Sequence, residues 1–346
     1  MAIRAIKKII YFVLLTGFLI SLFLGYKFNQ FKVQPINLDT ESALFIIYSG
    51  NTIRQVAQSL ADKGYIADPL MFIALARING DEAHIKAGEY QLKATHSPDD
   101  LIQLFRKGNS ILYSFTIIEG WTFDQLLEEL NTDPVLIHTI NTDNIPAIMA
   151  KISYADEHPE GRFLPDTYHF PRGTTDISFL KRAYRTMRQK LDKEWEARVP
   201  GLPLKTPYEA LILASIIEKE TGAAFERPLI SAAFIQRLNK NMRLQTDPTI
   251  IYGMGKNFDG NIRYQDLRDD TPYNTYLYKG LTPTPIALPG EDAIHAALHP
   301  AESEAIYFVS KGDGTHQFSN TLAEHNAAVS KYQLKGRKPN RKADPG

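Results

Sequence analysis

Two acids, Glu218 and Glu220, close the apolar run LILASIIEKET at positions 211–221. On a helix, Leu211, Ala214, Ser215 and Glu218 share one face, and Leu213, Ile216, Ile217 and Glu220 the opposite side. A helix apolar nearly all round is a core helix. Its C-terminal end is where the helix dipole disfavours negative charge, so a merely structural carboxylate is poorly placed there. Glu218 follows the small residues Ala214 and Ser215, which leave room for a ligand. Burial among apolar neighbours penalises the anion and favours the protonated acid. Cleavage of a glycosidic bond requires such an acid near neutral pH, because the leaving oxygen takes a proton. Glu218 is therefore the candidate catalytic acid, and Glu220 the partner that orients the helix end. Thr206, Pro207 and Glu209 supply a cap, a first helical residue and a capping-box carboxylate for the start of the same helix.

Other chemistries fit less well. With no cysteine among 346 residues, disulfides, thiol nucleophiles and Cys-zinc sites are excluded. His295 and His299 stand four apart on an expected helix, a spacing that can hold zinc. No HExxH arrangement or near third ligand accompanies them, so structural histidines and no metal or cofactor are expected. Gly312-Asp313-Gly314 reads as a turn before a strand, and no phosphate loop occurs in context. Lys+Arg and Asp+Glu both number 39, so no net field favours nucleic acid as a partner.

Several elements must position these acids. Arg4, Lys7 and Lys8 precede an uncharged run, residues 9–26, near the minimum of about 20 for spanning a bilayer. The bulky GYKFNQFKV follows where a cleavage site would need small residues, so an uncleaved anchor is expected. The basic flank keeps residues 1–8 cytoplasmic and exports the rest. Residues 27–40 read as a spacer. From Leu44 the pattern is strand, turn, helix, then a second helix near 69–78 and a strand near 88–92. Seventy residues on it recurs, Phe45, Ile47, Gly50, Thr52 and Leu60 matching Phe115, Ile117, Gly120, Thr122 and Leu130. A long helix is expected over 177–199, its basic face solvated, and a basic tail over 336–346. The fold class is α+β: one transmembrane helix (9–26), a small α+β subdomain (41–110) and a larger α+β domain (111–335). The small subdomain resembles a LysM-type module, a fold that binds N-acetylglucosamine polymers.

Five ordered segments carry a more specific resemblance: EGRFLPDTY (160–168), ASIIEKET (214–221), RLNKNMRLQTDPTIIYG (237–253), TPYNTYLYKGLTPTPI (271–286) and GDGTHQFSNTLAEHN (312–326). Together they resemble the YceG-like family of endolytic murein transglycosylases. TPYNTY stands where SPYNTY is frequent and ALPG (287–290) where NPG is common, which puts only local turns in doubt. The resemblance implies an enzyme of the bacterial inner membrane with a periplasmic catalytic domain. It would cut peptidoglycan strands internally, without water, leave 1,6-anhydro-N-acetylmuramic acid ends, and work beside peptidoglycan synthases of the elongation or division machinery. It also carries the catalytic role onto Glu218. Gln245, Thr246, Asp247, Tyr252, Tyr264, Tyr273, Asn274, Tyr276 and Tyr278 then suit sugar hydroxyls, acetamido groups and ring faces. Asp166 and Tyr168 are candidates for the cleft wall. Glu220, Asp166 or Asp247 serving as a second catalytic carboxylate would make the enzyme a hydrolytic muramidase. A non-catalytic wall-binding scaffold is the other alternative, and a metal-dependent amidase would be silenced by chelator.

Overall fold

The structure is a computed structural model that describes residues 2–81, 84–141, 144–152 and 154–334. The expected basic tail at 336–346 lies outside the described residues. The chain divides into two units, one of Met1–Ser114 with Val135–Ile137 and His169–Thr174, the other of Phe115–Pro134, His138–Tyr168 and Thr175–Gly346.

The first unit contains α1 (Ala2–Val33), β1 (Ser42–Ile47), α2 (Ile53–Asp62), α3 (Pro69–Ile78), β2 (Gly88–Lys93) and α4 (Pro98–Lys107). α1 is long and apolar enough to cross a membrane. The expected spacer begins as helix, because α1 runs on to Val33. Phe28 and Phe31 pack against the core of this unit, and Ile36 is buried in it. β1 pairs antiparallel with β2, Ser42 opposite Lys93 and Ile47 opposite Gly88. Phe45, Ile47, Val56, Leu60, Phe72, Tyr90, Leu92 and Phe105 form the core. The alternating strand residues and the helical stripe thus meet where their periods predict.

β3 (Leu112–Thr116) pairs with β4 (Thr167–Pro171), and Leu112–Ser114 and His169–Pro171 of these strands belong to the first unit; the second unit holds the helical bulk. Its helices are α5 (Phe123–Thr132), α6 (Ile145–Lys151), α7 (Asp176–Ala197), α8 (Pro207–Glu220), α9 (Arg227–Asn239), α10 (Asp247–Met254), α11 (Glu291–Leu298) and α12 (Leu322–Tyr332). A hairpin of β5 (Tyr307–Ser310) and β6 (His316–Ser319) turns at Gly312 and Gly314, both at positive φ. The architecture is α+β. The internal repeat is structural: Thr52 before α2 and Thr122 before α5 each form a capping box, with Gln55 and Gln125.

α8 is the axis of the second unit. Residues Ala210 to Ile217 are all buried, so no face is left for solvent. Leu211, Leu213, Ile216 and Ile217 pack with Ile230 and Phe234 of α9 and Ile294, Ala297 and Leu298 of α11. Thr206 caps α8 by accepting from the Glu209 N–H. The Glu209 carboxylate reaches one residue further than a capping box requires, to the Lys205 N–H.

Candidate active site

α8 delivers Glu218 and Glu220 from its last turn into different surroundings. Glu218 is held on both oxygens. Arg227 Nη2 donates to Oε1 at 3.1 Å and the Gly290 N–H donates to Oε2 at 3.0 Å. Its side chain is 6% exposed and that of Arg227 9%. Arg227 also pairs with Glu119 at 3.4 Å and Asp292 at 3.3 Å. Burial and the negative charges of Glu218 and Asp292 push the Glu119 carboxyl up, against the pull of Arg227. The room expected beside Ala214 and Ser215 is filled by chain: Ser215 Oγ accepts from the Ile286 N–H at 3.0 Å, and Ile286, Ala287 and Leu288 are buried. Glu218 thus meets a guanidinium and an amide, rather than apolar neighbours beside an open space.

Glu220 matches the description drawn for Glu218. Burial pushes its carboxyl up to about 7, and the nearby Asp247 charge adds to the rise. The Thr246 hydroxyl, His316 and Arg237 oppose it. Thr246 Oγ1 donates to Glu220 Oε1. Among the described residues no hydrogen bond occupies Oε2. This carboxyl is about half protonated around pH 7 and has one oxygen to spare.

The loop before α10 brings the Gln245-Thr246-Asp247 triplet to it. Gln245 sits at φ 51°, a left-handed conformation that costs a non-glycine residue about 1 kcal/mol or more. Arg237 holds the loop there, donating to the carbonyls of Arg243 at 3.1 Å and Leu244 at 2.9 Å and to Gln245 Oε1 at 3.2 Å. Thr275 completes the clamp: its carbonyl accepts from the Gln245 N–H and its hydroxyl from the Thr246 N–H, both at 3.1 Å. Tyr276 donates to Asp247 Oδ1 at 2.6 Å, and the Asp247 carboxylate stays exposed. Glu226, buried on the loop after α8, accepts from the backbone N–H of His316 and meets its Nδ1, both at 2.8 Å.

The other expected site residues divide. Asn274 is fully buried and its amide is consumed by backbone: it donates to the carbonyls of Leu267 and Asp269 and accepts from the Tyr276 N–H. It shapes the turn carrying Tyr276, with no group left for a sugar. Tyr168 is buried, donates to the Leu164 carbonyl at 2.8 Å and packs on Phe179, so it is core rather than cleft wall. Asp166 is exposed and accepts from the Thr167 N–H next to it. Tyr252 and Tyr273 meet edge to face at 4.9 Å, and Tyr252 donates to Glu160 at 3.0 Å. Tyr264 and Tyr278 are half exposed. A hollow of about 280 Å³ lined by Glu157, Arg162, Tyr184 and Tyr208 opens beside Pro207 at the far end of α8. That is about 20 Å along the helix from its acids, and none of the expected site residues lines it.

Glu160 is a second raised acid that the sequence reading passed over, although it opens EGRFLPDTY. Burial pushes it up to about 7 from 4.5, against donors from Tyr252 and the Phe123 and Gly161 N–H groups. Between those values the unfolded chain releases its proton while the folded chain keeps it, so stability falls as pH rises through that window. The melting temperature should therefore drop from about pH 5 to about pH 7.5, and Glu160→Gln should make the decline shallower. An unchanged slope would count against a raised Glu160.

A carboxyl at the end of α8, raised to about 7, thus faces a hydroxyl donor and an exposed carboxylate held on a clamped loop, groups able to exchange a proton with a bound oxygen. The chain belongs to the YceG-like family, whose model matches residues 45–331. It is 29% identical over 327 residues to an endolytic murein transglycosylase of Bacillus subtilis (strain 168), covering 89% of this chain and 90% of that one. The protein of that name from Streptococcus pneumoniae serotype 2 is 27% identical over 344 residues, 90% of this chain and 62% of its own length. A crystal structure of a YceG-like protein from Listeria monocytogenes superposes with a TM-score of 0.52 at 28% identity, covering 83% of this chain and 98% of that one.

Proposed function

We propose that this chain is an endolytic lytic transglycosylase of peptidoglycan and that Glu220, rather than Glu218, is its acid and base. The observation that carries the assignment is the Glu220 carboxyl, pushed up to about 7 with Oε2 unoccupied, beside a Glu218 whose two oxygens are both engaged. The relatives named endolytic murein transglycosylases support the substrate class.

Protonated Glu220 gives its proton to the oxygen joining N-acetylmuramic acid to the next glucosamine. The C1–O bond breaks, and positive charge builds on C1 and the ring oxygen. The 6-hydroxyl of the same muramic acid attacks C1 and loses its proton to the Glu220 carboxylate. One new C–O bond replaces the old one, no water enters, and the acid ends as it began. An attacking group already on the sugar has a high effective molarity, so one carboxyl suffices. Asp247, Tyr276 and the Gln245 amide group suit the sugar's hydroxyl and acetamido groups. The order strand, helix, helix, strand in the first unit supports reading it as a small wall-binding module of LysM type. The basic flank of α1 supports a cytoplasmic N-terminus with both units outside the membrane, beside the synthases whose growing strands would be the substrate.

The test is digestion of purified peptidoglycan by the full chain in detergent, with mass spectrometry of the new ends. Anhydro ends support the proposal; reducing ends mean a hydrolase, with Asp247 as the second carboxylate to examine. Thr246→Val should slow turnover about tenfold, the worth of one charge-assisted hydrogen bond. Because the Thr246 hydroxyl holds the Glu220 carboxyl down, its loss should move the alkaline limb of kcat/KM to higher pH. A limb that stays put would separate Thr246 from the titrating group.

A further inference from the structure

The two histidines four residues apart acquire a third ligand that sequence spacing does not reveal. Glu194, near the C-terminal end of α7, lies against the last turn of α11. His295 Nδ1 is 2.8 Å from Glu194 Oε2 and His299 Nδ1 is 4.0 Å from it. One ligand atom from each of the three residues falls within 4.8 Å of the others. Glu194 is 14% exposed, with both histidines beside it and Lys190, which pairs with Glu291, one helical turn away.

The hydrogen bonds of His299 fix what its ring offers. Nε2 lies 3.0 Å from the Ala197 carbonyl, which only an N–H can satisfy. In the neutral ring that leaves the lone pair on Nδ1, which faces the His295 carbonyl at 3.2 Å and Glu194 Oε2. Acceptor thus faces acceptor, unless a positive centre lies between them. A ligating histidine whose other ring nitrogen donates to a backbone carbonyl is the usual outer support of a metal site. The two imidazole rings are stacked, 4.2 Å apart at 15°, so the exposed His295 ring must turn for its in-plane lone pair to meet a cation held by His299. A single cation shared by the three groups relieves that opposition of acceptors.

We propose that Glu194, His295 and His299 form a site for a divalent transition cation of the zinc type. Two imidazoles and a carboxylate suit Zn²⁺. In a tetrahedral site with bonds of about 2.0–2.2 Å, ligand atoms stand about 3.4 Å apart, which the observed 2.8 Å and 4.0 Å separations straddle. Of the three side chains His295, 59% exposed, is the one free to turn toward that geometry, with the fourth position open to solvent. The cation would fasten the end of α7 to the end of α11, the helix whose first turn follows the Gly290 amide that holds Glu218.

The test is calorimetric titration of the chelator-stripped full chain with Zn²⁺, alongside His299→Ala, Glu194→Gln and the control His138→Ala. The site predicts one equivalent bound, weakened at least tenfold by either ligand variant and unchanged by the control. Zn²⁺ should also shield His295 and His299 of the unmutated chain from diethyl pyrocarbonate, read by mass spectrometry, so a misfolded variant does not decide the matter. No binding, binding indifferent to Glu194 and His299, or no selective shielding would overturn the site and leave a bridging proton in its place.

Discussion

Glu220→Gln should reduce the release of anhydro ends by about 10²–10⁴-fold, the usual worth of a general acid–base group, while the melting temperature at neutral pH holds or rises. The amide keeps the shape and can still receive the Thr246 hydroxyl, but has no proton to give the leaving oxygen. Stability should not suffer, because burial already works against the charged form of Glu220. Glu218→Gln is the contrasting variant. It removes the charge facing Arg227 and should register first in the melting temperature, with a smaller loss of turnover. Turnover and melting should be measured on both variants in parallel. If Glu218→Gln abolished turnover without loss of stability and Glu220→Gln remained active, the two roles would be exchanged.

Arg227→Met should be the most destabilising single change near the site. Methionine fills much of the volume, so the loss reports charge. Glu218, 6% exposed, would keep a buried carboxylate with only the Gly290 amide for company. Breaking a buried pair from one side costs about 3–5 kcal/mol. The lower figure is appropriate here because Glu119 and Asp292, the other two partners, are well exposed. In a domain of this size that corresponds to roughly 6–12 °C in melting temperature. Adding Glu218→Gln should restore part of the loss, since the orphaned charge is then gone, and a double-mutant cycle would measure the coupling. An Arg227→Met protein that melts with the parent would mean the pair is solvated in solution.

The sequence carried the helices and the repeat because both rest on local rules. Thr52 with Gln55 and Thr122 with Gln125 are capping boxes readable at three-residue spacing. The all-round apolar pattern of α8 gave its burial and turned attention to its acids. It could not separate Glu218 from Glu220, since the difference lies in partners distant in sequence. Arg227 and Gly290 come from elsewhere to Glu218, and Thr246 and Asp247 to Glu220. The small neighbours of Glu218 do not mark an open space, because Ile286 donates its N–H to the Ser215 hydroxyl there. Asn274 and Tyr168 look like ligand-binding residues by type, yet their polar atoms are spent on backbone carbonyls and amides. Glu194 joins His295 and His299 only through the packing of α7 on α11, a distance of 101 residues that no local spacing shows.

The continuity of α1 also bears on how far the molecule can reach. A 32-residue helix is about 48 Å long, and the bilayer's apolar layer takes only about 30 Å of that. The remainder is not slack. Phe28 and Phe31 are seated on the first unit, Lys32 lies 3.8 Å from Asp99, and the Ile36 and Asn37 amides bond to the carbonyls of His96 and Tyr65. With α1 set in a bilayer, the first unit would have a fixed standoff instead of a leash. It would patrol a thin layer at constant height above the lipid, exchanging a three-dimensional search for a planar one. Polymer outside that layer would be out of the first unit's range, whatever its affinity.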